Sequence, residues 1–86
     1  MTDNELKELL VITMEECAEV QLASSKLYRF GSDTSERVHE LEVEVGDLLC
    51  MIELLEEYKL INMDAVRGHK YFKREKLKKW SDLTKL

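Results

Sequence analysis

Eighty-six residues, 44% hydrophobic and 36% charged, fit one folded domain, since the chain is too short for two cores and too apolar for disorder. With no Pro, three Gly and no apolar run near the roughly 18 residues of a membrane span, the composition favours long helices and excludes an all-β fold and a transmembrane helix. The net charge of −5 divides unevenly: residues 1–66 hold 5 Lys+Arg against 16 Asp+Glu, a balance of −11, and residues 67–86 hold 8 against 2, a balance of +6. Such an acidic body argues against nucleic acid as the main partner and leaves the basic tail as a candidate anion contact.

The first helix is expected over residues 3–30. Thr2 and Glu5 have the spacing of a capping box, apolar residues from Leu6 through Leu10, Cys17 and Val20 keep a helical period, and Gly31 is a natural stop. Asp33 and Glu36 repeat the capping spacing, so a second helix is expected over 34–58, with Val38, Leu41, Val45, Leu48, Ile52 and Leu55 stepping by three or four. Asn62 can cap a third helix over 63–80, with Gly68 a candidate kink or break. The fold class is therefore all-α: an antiparallel hairpin plus a C-terminal helix in a single domain over 1–86. So short a chain leaves much apolar surface uncovered, which predicts a multi-helix bundle built by a homo-oligomer. Cys17 and Cys50 lie inside apolar patterns without zinc-like spacing, so they are expected to be reduced core thiols. With no signal-like start, a cytoplasmic setting is expected.

Two carboxylate clusters stand out: Glu15-Glu16-Cys17-Ala18-Glu19 on the first helix and Glu44-Val45-Gly46-Asp47 on the second. At about 100° per residue, Glu16 with Glu19 and Glu44 with Asp47 each project from one face across adjacent turns. Counting outward from a turn near residues 31–33 brings both clusters to similar height in an antiparallel hairpin. Like charges so gathered repel, and a divalent cation would remove the conflict. All-oxygen ligands without His or Cys suit Mg²⁺, with Mn²⁺ as the alternative. The bland reading is a solvated acidic face, of which Glu53, Glu56 and Glu57 offer other examples. A di-iron centre needs two Glu-x-x-His motifs, and Glu36 with His39 supplies one.

Glu15-Glu16-x-x-Glu19 followed after 24 residues by Glu44-x-x-Asp47 resembles the EExxE and ExxD motifs of the MazG-like all-α nucleoside triphosphate pyrophosphohydrolases, particularly the small phage and bacterial type. The likeness extends through Ser25-Lys26, Arg29-Phe30-Gly31 and Glu44-Val45-Gly46-Asp47-Leu48-Leu49, over roughly residues 6–80. It implies Mg²⁺ ligands at Glu16, Glu19, Glu44 and Asp47 and hydrolysis to monophosphate and pyrophosphate. It also implies a catalytic contribution from Glu15 and Glu16, with Glu15 behind the ligands or orienting water. Glu40 is a candidate for a supporting contact. Lys26, Arg29, Lys70, Lys73 and Lys76 are candidates for binding phosphates. The short chain, Gly46 inside the second motif and the Lys73-Arg74-Glu75-Lys76 tail depart from the family pattern, Gly46 being a candidate for a close approach by another helix; Cys50-Met51, where phosphoribosyl-ATP pyrophosphohydrolases have an aromatic-His pair, disfavours that substrate and leaves the nucleotide open.

The sequence thus supports a Mg²⁺-dependent nucleotide pyrophosphohydrolase acting as a homodimer or homotetramer, without membrane or nucleic acid. The alternative from a different class is a non-catalytic helical oligomer using its acidic stripe to bind ions or proteins. A third reading, a basic tail docking on nucleic acid, predicts binding that falls steeply with salt.

Overall fold

The computed structural model describes residues 1–31 and 35–83. The described residues form three helices, α1 (Asp3–Phe30), α2 (Ser35–Glu57) and α3 (Met63–Trp80), and no strand. None of them is long and apolar enough to cross a membrane. The expected Asp33 cap and helix start at residue 34 lie outside the described residues.

The ends of α1 follow the local chemistry. Thr2 is extended and its hydroxyl accepts from the Glu5 N–H, while the Glu5 carboxylate accepts from the Thr2 N–H at 2.8 Å, so two orphan donors are satisfied reciprocally. The Thr2 N–H donating to the carboxylate, with the Thr2 hydroxyl beside it, favours the ionised form and lowers the Glu5 pKa. At the other end Gly31 takes φ 84°, where a side chain would be strained, and its N–H donates to the Leu27 carbonyl at 2.8 Å. The chain reversal is held by cations: the Arg37 Nη1 donates to the Phe30 carbonyl at 3.0 Å, and the Arg29 and Arg37 guanidinium groups stand 5.1 and 5.0 Å from the Phe30 ring centroid.

α1 and α2 pack side by side as the expected antiparallel hairpin. The less exposed residues recur at Leu6, Leu9, Thr13, Glu16, Val20, Ala23 and Leu27 on α1 and at Arg37, Leu41, Glu44, Leu48, Met51 and Leu55 on α2. That alternating three- and four-residue step is the seam of a two-helix coil. Only Leu9, Ala23 and Met51 are buried among the described residues. α3 makes no comparable contact with either helix, so its 18 residues stand largely apart from the hairpin.

Three expectations are corrected. Cys17 and Cys50 are exposed, not core residues, because each lies away from the seam, on stripes wider than one neighbouring helix can cover. α3 continues through Gly68 without a break. A Cβ built on Gly46 would meet nothing within 4 Å, so within the chain this glycine does not mark a close helix approach.

Candidate metal centre

The seam explains where the carboxylates fall. Glu16 and Glu44 occupy positions that the three–four repeat gives mostly to apolar residues, Thr13 and Arg37 being the other polar ones, so each is partly covered by the facing helix. Asp47, one turn beyond Glu44, is exposed at the edge of the same contact. One ligand oxygen from each of Glu16, Glu44 and Asp47 can be chosen so that all lie within 4.8 Å of one another. Oxygens around an octahedral Mg²⁺ at about 2.1 Å lie roughly 3.0 Å apart when adjacent and 4.2 Å when opposite, so modest side-chain adjustment would let the three share one ion. The donor set is all oxygen and anionic, which fits a hard divalent cation and not zinc.

Glu19 stands at the rim of this group. With Leu22, Ala23, Lys26, Glu40 and Glu44 it lines a small cleft between the helices. The electrostatics converge on Glu44, whose pKa is raised, first by partial desolvation and then by the charges of Glu19, Asp47, Glu16 and Glu40. Five carboxyl groups from two helices therefore share one small region, as the register argument anticipated for Glu16, Glu19, Glu44 and Asp47. Glu40 joins them and pairs with Lys26 at 3.5 Å. Glu15, about 100° round the helix from Glu16, is exposed and is not among the charges acting on Glu44.

The basic residues divide. Lys26 lines the carboxylate cleft. Arg29 is engaged at the hairpin end, its guanidinium over the Phe30 ring and its Nε 3.4 Å from the Ser25 carbonyl. Lys70, Lys73 and Lys76 lie on α3 and line neither cleft.

Sequence reasoning missed a second cleft, lined by Glu5, Glu8, Leu9, Ile12, Met51, Leu54 and Tyr58. It is formed where the start of α1 meets the end of α2, centred about two to three helical turns along the hairpin from Glu16 and Glu44. Its only advance signal was Tyr58, an aromatic residue at the very end of the second apolar pattern. Comparison with protein-family models, with curated proteins and with solved structures returns no match for this chain.

Proposed function

We propose that the protein is a Mg²⁺-dependent nucleoside triphosphate pyrophosphohydrolase, cleaving between the α and β phosphates to release monophosphate and pyrophosphate. We assign it a homodimeric or homotetrameric state and a reducing, cytoplasmic setting in keeping with its two free thiols. The observation that carries the reading is the convergence of Glu16, Glu44 and Asp47 from two helices within 4.8 Å, in the motifs that resemble those of MazG-like enzymes.

In this reading Glu16, Glu44 and Asp47 would hold the cation, and Glu19 at the rim of the group would add a further carboxylate or accept a hydrogen bond from water there. When bound, Mg²⁺ neutralises phosphate oxygens and lowers the pKa of a coordinated water. The facing helix partly covers Glu16 and Glu44, a restraint that would set the ligand geometry before substrate arrives. Lys26, already at the cleft, can exchange Glu40 for a phosphate oxygen, a charge-assisted contact of the same kind. The cleft at Leu9, Ile12, Met51 and Tyr58 offers an apolar wall and one ring against which a nucleobase can lie. Glu15 is assigned to the approach of water from outside the ligand group. Lys70, Lys73 and Lys76, standing apart from their own chain's hairpin, are assigned to phosphates held by a neighbouring copy.

The deciding experiment incubates the protein with Mg²⁺ and a panel of canonical and modified nucleoside triphosphates, resolving monophosphate, diphosphate, pyrophosphate and phosphate. Monophosphate and pyrophosphate in equal amounts, lost in Glu16→Gln, are expected. Absence of turnover across the panel would overturn the reading in favour of a non-catalytic helical oligomer.

A further inference from the structure

Glu16 and Glu44 lie between two unlike clefts. The cleft that ends at Tyr58 extends from them toward the start of α1 and the end of α2, and the cleft containing Lys26 extends the other way, toward the chain reversal. The first has apolar walls, two carboxylates and a phenol, and no cation among its described lining residues. In the second, Lys26 is the only cation among the described lining residues. In the proposed reading, a nucleoside triphosphate whose α-phosphate meets the metal ligands has one direction suited to its anionic end. Its β- and γ-phosphates run toward Lys26, and its nucleoside runs toward Tyr58.

The cation at that end is already engaged. Lys26 Nζ stands 3.5 Å from a carboxylate oxygen of Glu40 on the facing helix, with 40% and 51% of the two side chains exposed. Glu40 comes one helical turn, about 6 Å, before Glu44. It is not among the three residues whose oxygens converge, and its charge acts on Glu44 less than those of Glu19, Asp47 and Glu16. Both observations put it at the outer end of the ligand group, on the path the phosphates take. An exposed ion pair of this kind shifts an equilibrium by no more than about fivefold, so a phosphate group with more than one negative charge can displace it.

We infer that Glu40 is a specificity-determining residue, a built-in competitor for Lys26 that a phosphate chain must displace to occupy the cleft. A ligand that takes Lys26 separates it from Glu40 and then lies beside an anionic carboxylate. A ligand confined to the metal ligands does not separate the pair. Glu40 therefore weakens polyphosphates selectively. The same pair meets the terminal phosphates of the substrate and the pyrophosphate they become, so the weakening raises KM and speeds departure of pyrophosphate. Binding lost equally from substrate and transition state does not alter kcat. This role replaces the supporting contact expected of Glu40 from its helical position. The inference rests on the proposed placement of phosphates at this site, but not on their hydrolysis.

The test titrates inorganic pyrophosphate calorimetrically into the full-length protein at saturating Mg²⁺, and Mg²⁺ alone in a second series. Glu40→Gln keeps the size of the side chain and removes its charge. It should tighten pyrophosphate about three- to tenfold, while affinity for Mg²⁺ alone stays the same or falls, since a negative charge near the ligands has been lost. A gain of affinity cannot arise from unfolding. Lys26→Gln should weaken pyrophosphate, and adding Glu40→Gln to it should change binding by less than about twofold, because the cation competed for is gone. Unchanged or weaker pyrophosphate binding in Glu40→Gln would overturn the inference, as would no pyrophosphate binding to either protein. An equal gain in the Lys26→Gln background would also overturn it, in favour of general repulsion by Glu40. Tighter pyrophosphate binding in a protein that hydrolyses no triphosphate would sustain the competition and overturn only the catalytic reading. Triphosphate turnover with pyrophosphate binding indifferent to Glu40 would do the reverse.

Discussion

The hairpin and α3 are built from similar lengths of amphipathic sequence but are stabilised differently. α1 and α2 bury a continuous seam and use it to hold charged groups that would be more favourable in water. α3 has the local features of a good helix: an Asn62 cap, Asp64 in its first turn, Lys78 and Lys79 in its last, and an i,i+3 pair between Glu75 and Lys78 at 3.1 Å. Among the described residues it has no packing contact comparable with that of the hairpin, and Phe72 and Trp80 remain 62% and 81% exposed. Tertiary contact makes room for a strained functional group in one region, while the other rests on capping and charge, each worth about 1 kcal/mol or less.

The largest expected effect tests whether the seam serves chemistry. Asp47→Asn and Glu16→Gln each remove a ligand oxygen's charge and should lower turnover by at least the about 100-fold that losing even an outer partner of a metal ligand can reach. A triple change of Lys70, Lys73 and Lys76 to Ala, on the unpacked helix, should instead act mainly on KM. If the α3 variant lost turnover as completely as Glu16→Gln, the division between the two regions would be wrong.

Next in size is the packing itself. Leu9 is one of three buried residues among those described and sits where α1 meets Met51 and Leu54. Leu9→Ala should cost about 2 kcal/mol, the lower end for buried leucines because the site already borders a cleft. Phe72→Ala on α3 should cost far less in the monomer, and thermal melts of the two variants measure the contrast.

Glu44 lets the comparison be sharpened by pH. Its folded pKa is raised above its unfolded value, so the folded state binds a proton more readily than the unfolded one. The resulting penalty is absent below the unfolded pKa, develops between the unfolded and folded pKa values as pH rises, and is complete above the folded pKa. In chelator, Tm should therefore rise as pH is lowered from neutrality toward the folded pKa of Glu44, and Glu44→Gln should raise Tm at pH 7. Millimolar Mg²⁺ should raise the Tm of the unmodified protein, because a ligand bound only to the folded state stabilises it, and Glu44→Gln should lose most of that increment. Equal increments in the two proteins would exclude Glu44 as a ligand.

Much of this was legible in advance where the cause is local. The Thr2–Glu5 box, the Gly31 stop and the Asn62 cap depend on residues within one turn, and all three appear as read. The hairpin register followed from counting outward from the turn, and it brought the acidic clusters to one height. What periodicity could not supply was which part of each wide apolar stripe meets the neighbouring helix. Cys17 and Cys50 were therefore misplaced in the core, and Glu16 could not be told from Glu19, although one proves to sit in the seam and the other at its rim. The cleft at Tyr58 depends on how the last turn of α2 meets the first turns of α1, a contact between residues about 50 positions apart.

The smallest expected effect separates capping from packing most cleanly. Asn62 Oδ1 accepts from the Asp64 and Ala65 N–H groups at 2.8 and 3.3 Å, satisfying two of the orphan donors at the start of α3. Asn62→Ala should cost about 1 kcal/mol of helix stability. Because α3 has little tertiary contact to hold it, that loss should appear as faster amide exchange across Val66 to Leu77, with the amides of α1 and α2 unchanged. The matching change at the other cap, Thr2→Ala, should fray only the first turn of α1, since the seam from Leu9 onward holds the rest. Cooperative slowing or quickening of exchange across all three helices in Asn62→Ala would show instead that α3 is packed in solution, and the partner it packs against would then have to be another copy's hairpin.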